Sequence, residues 1–295
     1  MYSEISTNKR KSVILVAIFI VVIVAIGYAF DYIYGSGSYS GLIFALFISL
    51  IMTLVSYYAG DKIALSANKA MPISKEQNSY VYNMVENLCI SCGAPMPKVY
   101  VMNDASINAF ATGRNPQTAS MAITTGAIEK LQNEELEGVI AHELSHIKNY
   151  DIRFMTLIAV LVGAISILAD YFFRFGLFNR RSSDNENKNP IFLIIGLILI
   201  VLSPIIAELI KLAISRKREY LADASGALLT RYPDGLANAL EKIAKENKPL
   251  STASSATAHL FISNPFGRGK FMALFSTHPP IEERIKRLRA MINKP

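Results

Sequence analysis

The chain has 295 residues, 52% of them hydrophobic, with a mean hydropathy of +0.31 and a formal net charge of +7. An apolar excess on this scale, gathered in blocks, excludes an ordinary soluble domain and points to a membrane protein. The positive charge is spread along the polar segments and mixed with acids, which suits a membrane surface; no nucleic-acid motif is present and no nucleic-acid partner is expected.

In chain order, Lys9, Arg10 and Lys11 precede the block Val13–Phe30, and Leu42–Ala59 follows; each block is 18 residues without a charge. At about 1.5 Å per residue such a run nearly crosses a hydrocarbon core of about 30 Å. We read an N-terminal transmembrane hairpin in residues 1–60, with spans over 12–30 and 41–60. A signal peptide is the alternative for the first run, but the run is long for that role, lacks a small-residue cleavage site and is followed at once by a second span.

Residues 61–153 then read as the first part of a polar domain, with an amphipathic helix near Glu76–Cys89 and strand-like stretches "KVYVMN" and "ASMAITTG". Cys89 and Cys92, in "CISCG", are the only cysteines. A single CxxC is weak evidence for a metal and reads as two reduced thiols, since a local disulfide would need an oxidising partner. The stretch "EKLQNEELEGVIAHELSHIKNYD" has helical periodicity, with Asn133 as its candidate cap and Glu134 and Glu135 in the first turn. Two further apolar runs, Phe154–Ala169 and Ile191–Ala207, are 16 and 17 residues long and marginal for spanning; together they give a second hydrophobic hairpin over 154–207. Residues 208–295 resume the polar domain with helices expected at Glu208–Arg231 and Asp234–Lys245, a Ser/Thr/Ala-rich loop at 251–258 and a final basic helix from Pro280.

Lysine and arginine placement sets an orientation: three precede the first span, none lies in Asp31–Gly41, and many follow the second and fourth runs. Both large polar segments are therefore expected in the cytoplasm. Arg174, Arg180, Arg181 and Lys188 run against this rule, because the span count places their loop outside. Either the second hairpin does not fully cross or the bias is overridden there.

Two of the four histidines, His142 and His146, stand four apart around Glu143 in "VIAHELSHIKN". On a helix, positions i and i+4 share a face, so the two imidazoles can offer nitrogens to one ion. That is a zinc-ligand geometry. The ion needs a third protein ligand and an open position for water, whose pKa it lowers, and Glu143 can take the proton and pass it to a leaving amine. A shuffled chain of this composition shows HExxH about once in several hundred trials, so context must carry the rest. The context is "KREYLADASG", which sets Glu219 and Asp223 four apart on another expected helix. Alone, that pair is a solvated helix face. Beside HExxH it supplies a carboxylate ligand, Glu219, and a partner that orients a histidine, Asp223. Straight helices place the two halves of the site about 12 and 18 Å from the membrane boundary, on the same side. The site is thus built just outside the bilayer, with a hydrophobic hairpin inserted between its ligands.

At this point the chain resembles the M48 metallopeptidases, and among them the bacterial and archaeal HtpX-like membrane proteases. The resemblance rests on an N-terminal hydrophobic hairpin, "INAFATG" at 107–113, "AITTGAIEKL" at 122–131, "AHELSHIKNYD" at 141–151, a second hairpin, "SRKREYLADASGA" at 215–227, "HLFISNPF" at 259–266 and "STHPPIEERI" at 276–285. It implies one Zn2+ per chain on His142, His146 and Glu219, Glu143 as general base, and a mainly α membrane protein with a zincin-like α+β catalytic domain, a small β-sheet plus the HExxH helix. It further implies a multi-pass endopeptidase of the cell membrane, its catalytic domain cytoplasmic, whose partners are the lipid bilayer and protein or peptide substrates, membrane or misfolded ones. Relatives that trim prenylated proteins share HExxH but carry more spans, which argues against that subgroup.

His278, in "THPP", is either a donor to the oxyanion of the tetrahedral intermediate or a residue that fixes a proline turn. His259 reads as a structural hydrogen-bonding group. Asn108 and Ala109 belong either to an edge strand that binds substrate backbone by strand addition or to a plain core strand. Two rivals remain: a non-catalytic zinc-tied membrane scaffold, disfavoured because the three evident ligands leave a position open, and a dedicated protease for a lipidated peptide.

Overall fold

The computed structural model describes residues 2–34, 39–163, 216–246, 248–252, 256–266 and 279–292. Within these, α1 (Tyr2–Tyr34) and α2 (Ser40–Ala67) form a helical hairpin. Asp31 closes it, its carboxylate accepting the Gly41 and Leu42 N–H groups at 2.8 and 2.7 Å, which satisfies donors that the start of α2 would otherwise leave open. Both helices present apolar side chains outward, among them Val13, Val21, Phe44 and Phe47 at 69%, 67%, 66% and 60% exposure. Among the described residues α2 is long and apolar enough to cross a membrane, with a mean hydropathy of 2.2.

A four-stranded sheet follows: β1 (Met71–Pro72), β2 (Lys98–Met102), β3 (Ala109–Thr112) and β4 (Ser120–Thr124), in the spatial order β1-β2-β4-β3. β2 and β4 are parallel, and the outer two pairings are antiparallel. Both faces are covered, so β4 reads as a continuous buried run rather than an alternating one. The pleat still sorts the side chains. Met121 and Ile123 of β4, with Ala109 and Ala111 of β3, enter the main core; Ala122 and Phe110 face the other way, toward Leu65, Met155 and Phe261. Phe110 and Phe261 meet edge to face, with centroids 5.0 Å apart.

Helix α3 (Ser79–Cys92) starts three residues later than Glu76, because the Asn78 side chain accepts the Val81 N–H and caps it there; Gly93 ends it at φ +64°. A short α4 (Thr125–Lys130) leads into α5 (Asn133–Lys148). The cap of α5 is Gln132, one residue before the expected Asn133: its N–H is taken by the Glu135 carboxylate at 2.7 Å, one half of a capping box. Residues 151–163 form a further helix, α6. Between α5 and α6, Tyr150 adopts a positive φ of 60°, so the chain does not run straight from His146 to Phe154 as the height estimate assumed.

Among the described residues, the remaining α-helices are α7 (Arg216–Thr230), α8 (Pro233–Glu246) and α9 (Ile281–Ile292). They match the three expected there, save that residues 208–215 of the first, and residues 164–207 of the second hydrophobic hairpin, lie outside the described residues. Helices α5, α7 and α8 approach closely through glycines: a Cβ on Gly226 would stand 3.0 Å from the His142 backbone nitrogen, and one on Gly138 only 2.7 Å from that of Leu236. The chain is thus mainly helical with a small mixed sheet, and α3, α5, α7, α8 and α9 share one core with it.

Candidate functional site

Helix α5 carries His142, Glu143 and His146, all buried. Leu136, Ile140, Leu144 and Ile147, fully buried in the core, fix its rotation, so the remaining face aims the histidines at α7. There Glu219 and Asp223, one turn apart, point back. The two imidazole Nε2 atoms lie 3.2 Å apart, and the Glu219 oxygens stand 3.5 Å from His146 Nε2 and 3.9 Å from His142 Nε2. All three donor atoms fall within 4.8 Å of one another.

These spacings fit a shared cation. Two nitrogens bound at about 2.0–2.1 Å to one tetrahedral ion stand about 3.3 Å apart. The outer nitrogens agree with that role. His146 Nδ1 is 2.9 Å from Asp151 Oδ2, a carboxylate that holds the proton on Nδ1 and leaves Nε2 to coordinate, and His142 Nδ1 is in ion-pair contact with Asp223 Oδ1 at 3.0 Å. Two imidazoles and one carboxylate, each histidine oriented from behind, is a donor set suited to a divalent metal.

Charge around the site is arranged in layers. Arg284, from α9, is buried at 1% exposure; it donates through Nε and Nη2 to the Asp223 carboxylate at 2.9 and 2.7 Å, and through Nη1 to the Ile262 carbonyl at 2.9 Å. Burial would raise the Asp223 carboxyl, but the Arg284 guanidinium and His142 hold it below its usual range. On the other side, Asp151 Oδ1 accepts from Asn8 Nδ2 at 2.6 Å, and Asn8, on α1, also donates to the Asn149 carbonyl at 2.9 Å. Burial lowers His142. It would lower His146 as well, but Asp151, Glu219 and Glu143 carry that imidazole up to about 9. Burial pushes the Glu143 carboxyl up to about 7, against a backbone hydrogen bond from Ala111. Glu143 Oε1 is buried without a hydrogen-bond partner.

The sequence-predicted residues are brought together in part. His142, Glu143, His146, Glu219 and Asp223 converge. Asn108 and Ala109 lie at the sheet edge: Ala109 opens β3, its carbonyl accepts the Ile262 N–H at 3.0 Å, and Asn108 Nδ2 reaches the Ser263 carbonyl at 3.4 Å. His259 is fully buried, with Nε2 2.9 Å from the Met155 carbonyl, in keeping with a structural role. His278 lies outside the described residues. Three residues that complete the site, Asp151, Arg284 and Asn8, had no role assigned from sequence. Asp151 and Arg284 sit in the quoted stretches "AHELSHIKNYD" and "STHPPIEERI", but nothing in local spacing marks either as a partner of the histidines.

Known proteins resemble the chain over most of its length. The sequence pattern of peptidase family M48 matches residues 75–292. The chain is similar to a protease HtpX homolog of Caldanaerobacter subterraneus subsp. tengcongensis, 47% identical over 295 residues that cover 99% of this chain and 98% of that one. A protease HtpX homolog of Dictyoglomus turgidum is 46% identical over 290 residues, 98% of this chain and 94% of its own. In fold, the chain is similar to the crystal structure of S. mikatae Ste24p, with a TM-score of 0.52 and 19% identity over 98% of this chain and 67% of that one.

Proposed function

The chain belongs to peptidase family M48, a family of metal-dependent peptidases, and from that premise we propose that it is a membrane-bound, zinc-dependent endopeptidase acting at the cytoplasmic face on membrane or misfolded proteins. The observation that carries this reading is the convergence of His142, His146 and Glu219 within coordination range of one ion, with Asp223 and Asp151 behind the two histidines. His142, His146 and Glu219 would hold the zinc, which would supply Lewis acidity toward a water and the scissile carbonyl.

The chain's own residues do the rest. Glu143, adjacent to His142 and raised to about 7 by burial, is tuned to take a proton from the attacking water and deliver it to the departing amine. Strand β3, at the edge of the sheet, packs against α5, the helix that carries Glu143. Residues 261–263 already pair with this edge at Asn108, Ala109 and Phe110, so an extended substrate added along β3, a mode that selects unfolded chain over a particular sequence, would have to displace them there. His278 remains our candidate for the oxyanion donor.

Membrane attachment through α1 and α2 is supported by their exposed apolar faces and by the cluster Lys9, Arg10 and Lys11 at the cytoplasmic end of α1. The catalytic half would then stand directly below the bilayer.

The test is to purify the full chain in detergent with a chelator, add zinc back, and follow cleavage of casein and of the chain itself, with Glu143→Gln in parallel. Zinc-dependent cleavage that vanishes in the variant while zinc stays near one per chain is the expected result. Equal zinc binding by both forms without cleavage of any substrate would sink the peptidase mechanism in favour of a scaffold.

A further inference from the structure

A second polar site stands where α2 and α6 leave their apolar runs. It is a cavity of about 280 Å³, and none of His142, His146 or Glu219 lines it. Four cations border it, Lys62, Lys98, Arg114 and Arg153, against the single carboxylate of Asp61. None of the four is in an ion pair among the described residues.

Two of these cations are positioned rather than merely present. Arg153 Nε donates to the Arg114 carbonyl at 2.7 Å. The guanidinium carbons of Arg114 and Arg153 stand 5.6 and 5.7 Å from the centroid of the same ring, Tyr57, and Arg114 lies 4.9 Å from that of Tyr58. Ring contacts of this kind place the two groups but do not neutralise them. Two like charges held over one ring repel each other unless an anion joins them. A third donor waits nearby: Ser56, 1% exposed, lines the cavity, and its Oγ is buried without a hydrogen-bond partner. A buried hydroxyl with no partner costs free energy that a bound acceptor would recover.

The height of the cavity identifies the acceptor. Lys62 follows the charge-free run of α2, which ends at Ala59, and Arg153 immediately precedes the apolar run that starts at Phe154. The two helices touch at this level, for a Cβ on Gly60 would come within 2.9 Å of Thr156 Cγ2. If α2 spans the bilayer, as proposed above, the cavity lies at headgroup depth, with Tyr57 and Tyr58 where interfacial aromatic residues gather. Leu157 and the exposed face of α2 continue from it toward the hydrocarbon.

We propose that this cavity binds the headgroup of an anionic phospholipid, its phosphate between Arg114 and Arg153, the Ser56 hydroxyl donating to it, and the acyl chains lying along α2. Guanidinium pairs suit phosphate oxygens because their donors match the acceptor geometry. The proposal rests on the membrane placement of α2 and not on catalysis.

The experiment uses the full zinc-loaded chain, stripped of native lipid in detergent and titrated with phosphatidylglycerol or phosphatidylcholine under native mass spectrometry. Wild type, Lys62→Gln, Arg114→Gln and Arg114→Lys are compared, with zinc content as the control for folding. One tightly held phosphatidylglycerol per chain is expected, preferred over phosphatidylcholine, weakened about fivefold by each loss of a cation and partly restored in Arg114→Lys. Equal binding of the two lipids, or phosphatidylglycerol binding unchanged in Lys62→Gln and Arg114→Gln, would overturn the proposal. So would full displacement of the lipid by inorganic phosphate or by an acidic peptide at equal concentration, since the occupant would then be soluble. Resistance of the chain to carbonate extraction from membranes reads its membrane integration separately, so a failed lipid site is not confused with a failed membrane reading.

Discussion

Replacing Arg284 by methionine tests whether the metal centre is held by the network behind it. The side chain is buried, forks onto Asp223 through two nitrogens at 2.7 and 2.9 Å, anchors to the Ile262 carbonyl and stands 3.5 Å from Glu219 Oε2. Methionine keeps much of the stem volume and removes every donor. Breaking a buried ion pair by deleting one partner costs about 3–5 kcal/mol, a large part of the roughly 5–15 kcal/mol that stabilises a domain. Some of that cost is escaped by protonation. Without the guanidinium, burial wins and the Asp223 carboxyl rises, and a neutral carboxyl is a poorer acceptor for the His142 Nδ1 proton. The histidine then loses its fixed tautomer, a loss that weakens metal sites by about 10- to 100-fold. Competition against a chromophoric chelator measures this directly, and thermal melting with and without zinc separates metal loss from unfolding. Arg284→Lys should fall between, since it keeps the charge but not the fork. If Arg284→Met binds zinc with wild-type affinity and melts at the wild-type temperature, the network is a bystander and the reasoning fails.

The same logic applies on the opposite side of the site. Asn8→Ala removes the 2.6 Å hydrogen bond to Asp151, a bond to a charged group worth about 1.5–3 kcal/mol, and should weaken zinc about tenfold or more in the chelator assay while carbonate-resistant membrane attachment is unchanged; unaltered zinc affinity would count against it. Cysteine chemistry offers an independent check. Burial pushes the Cys89 thiol up to about 12, whereas Cys92 is only half-buried, so maleimide at mildly alkaline pH should add one label per native chain, lost in Cys92→Ser, and two labels would show α3 to be looser than described. Asp104 gives a pH dependence. Burial would raise its carboxyl, but hydrogen bonds from Ser106 and Ser251 bring it down to about 2. The folded pKa lies below the unfolded value of about 3.9, so the group stabilises the fold above that value and the contribution fades as pH falls toward 2. The melting difference between wild type and Asp104→Asn should be largest near neutrality and close in acid; a difference independent of pH would contradict it.

What the sequence made legible was what is local. His142 and His146 share a face because the helical period is fixed, and Glu219 and Asp223 repeat that logic one helix later. The sheet was half legible. β2 and β4 stood out as β-branched and apolar stretches and β3 opens at Ala109, where an edge or core strand is expected, whereas Met71–Pro72 is only two residues long. The start of α3 slipped because Glu76 looks helical, yet the Asn78 side chain decides the boundary through one hydrogen bond. The bend at Tyr150 was invisible, because a tyrosine at positive φ carries no compositional mark.

Asp151, Arg284 and Asn8 were illegible for a different reason, and it bears on how the site works. Arg284 lies 142 residues from His142, and Asn8 lies 143 from Asp151, separations at which spacing carries no information. The fold places them where two histidines need their outer nitrogens held, and it recruits them from different parts of the molecule. His142 is braced through Asp223 by α9, and His146 through Asp151 by α1. Asp151 is itself shared: Arg218, on the helix that carries Glu219, stands 3.9 Å from the oxygen to which Asn8 donates, and its guanidinium lies over Phe154 at 5.3 Å. The first helix therefore does more than attach the chain. Its polar end lies against the carboxylate that orients a metal ligand, while its apolar residues Leu15 and Phe19 pack with Phe154, Leu157 and Leu161 of α6. A displacement of α1 relative to α6 would act first on the Asn8–Asp151 hydrogen bond, and through it on the carboxylate that holds His146.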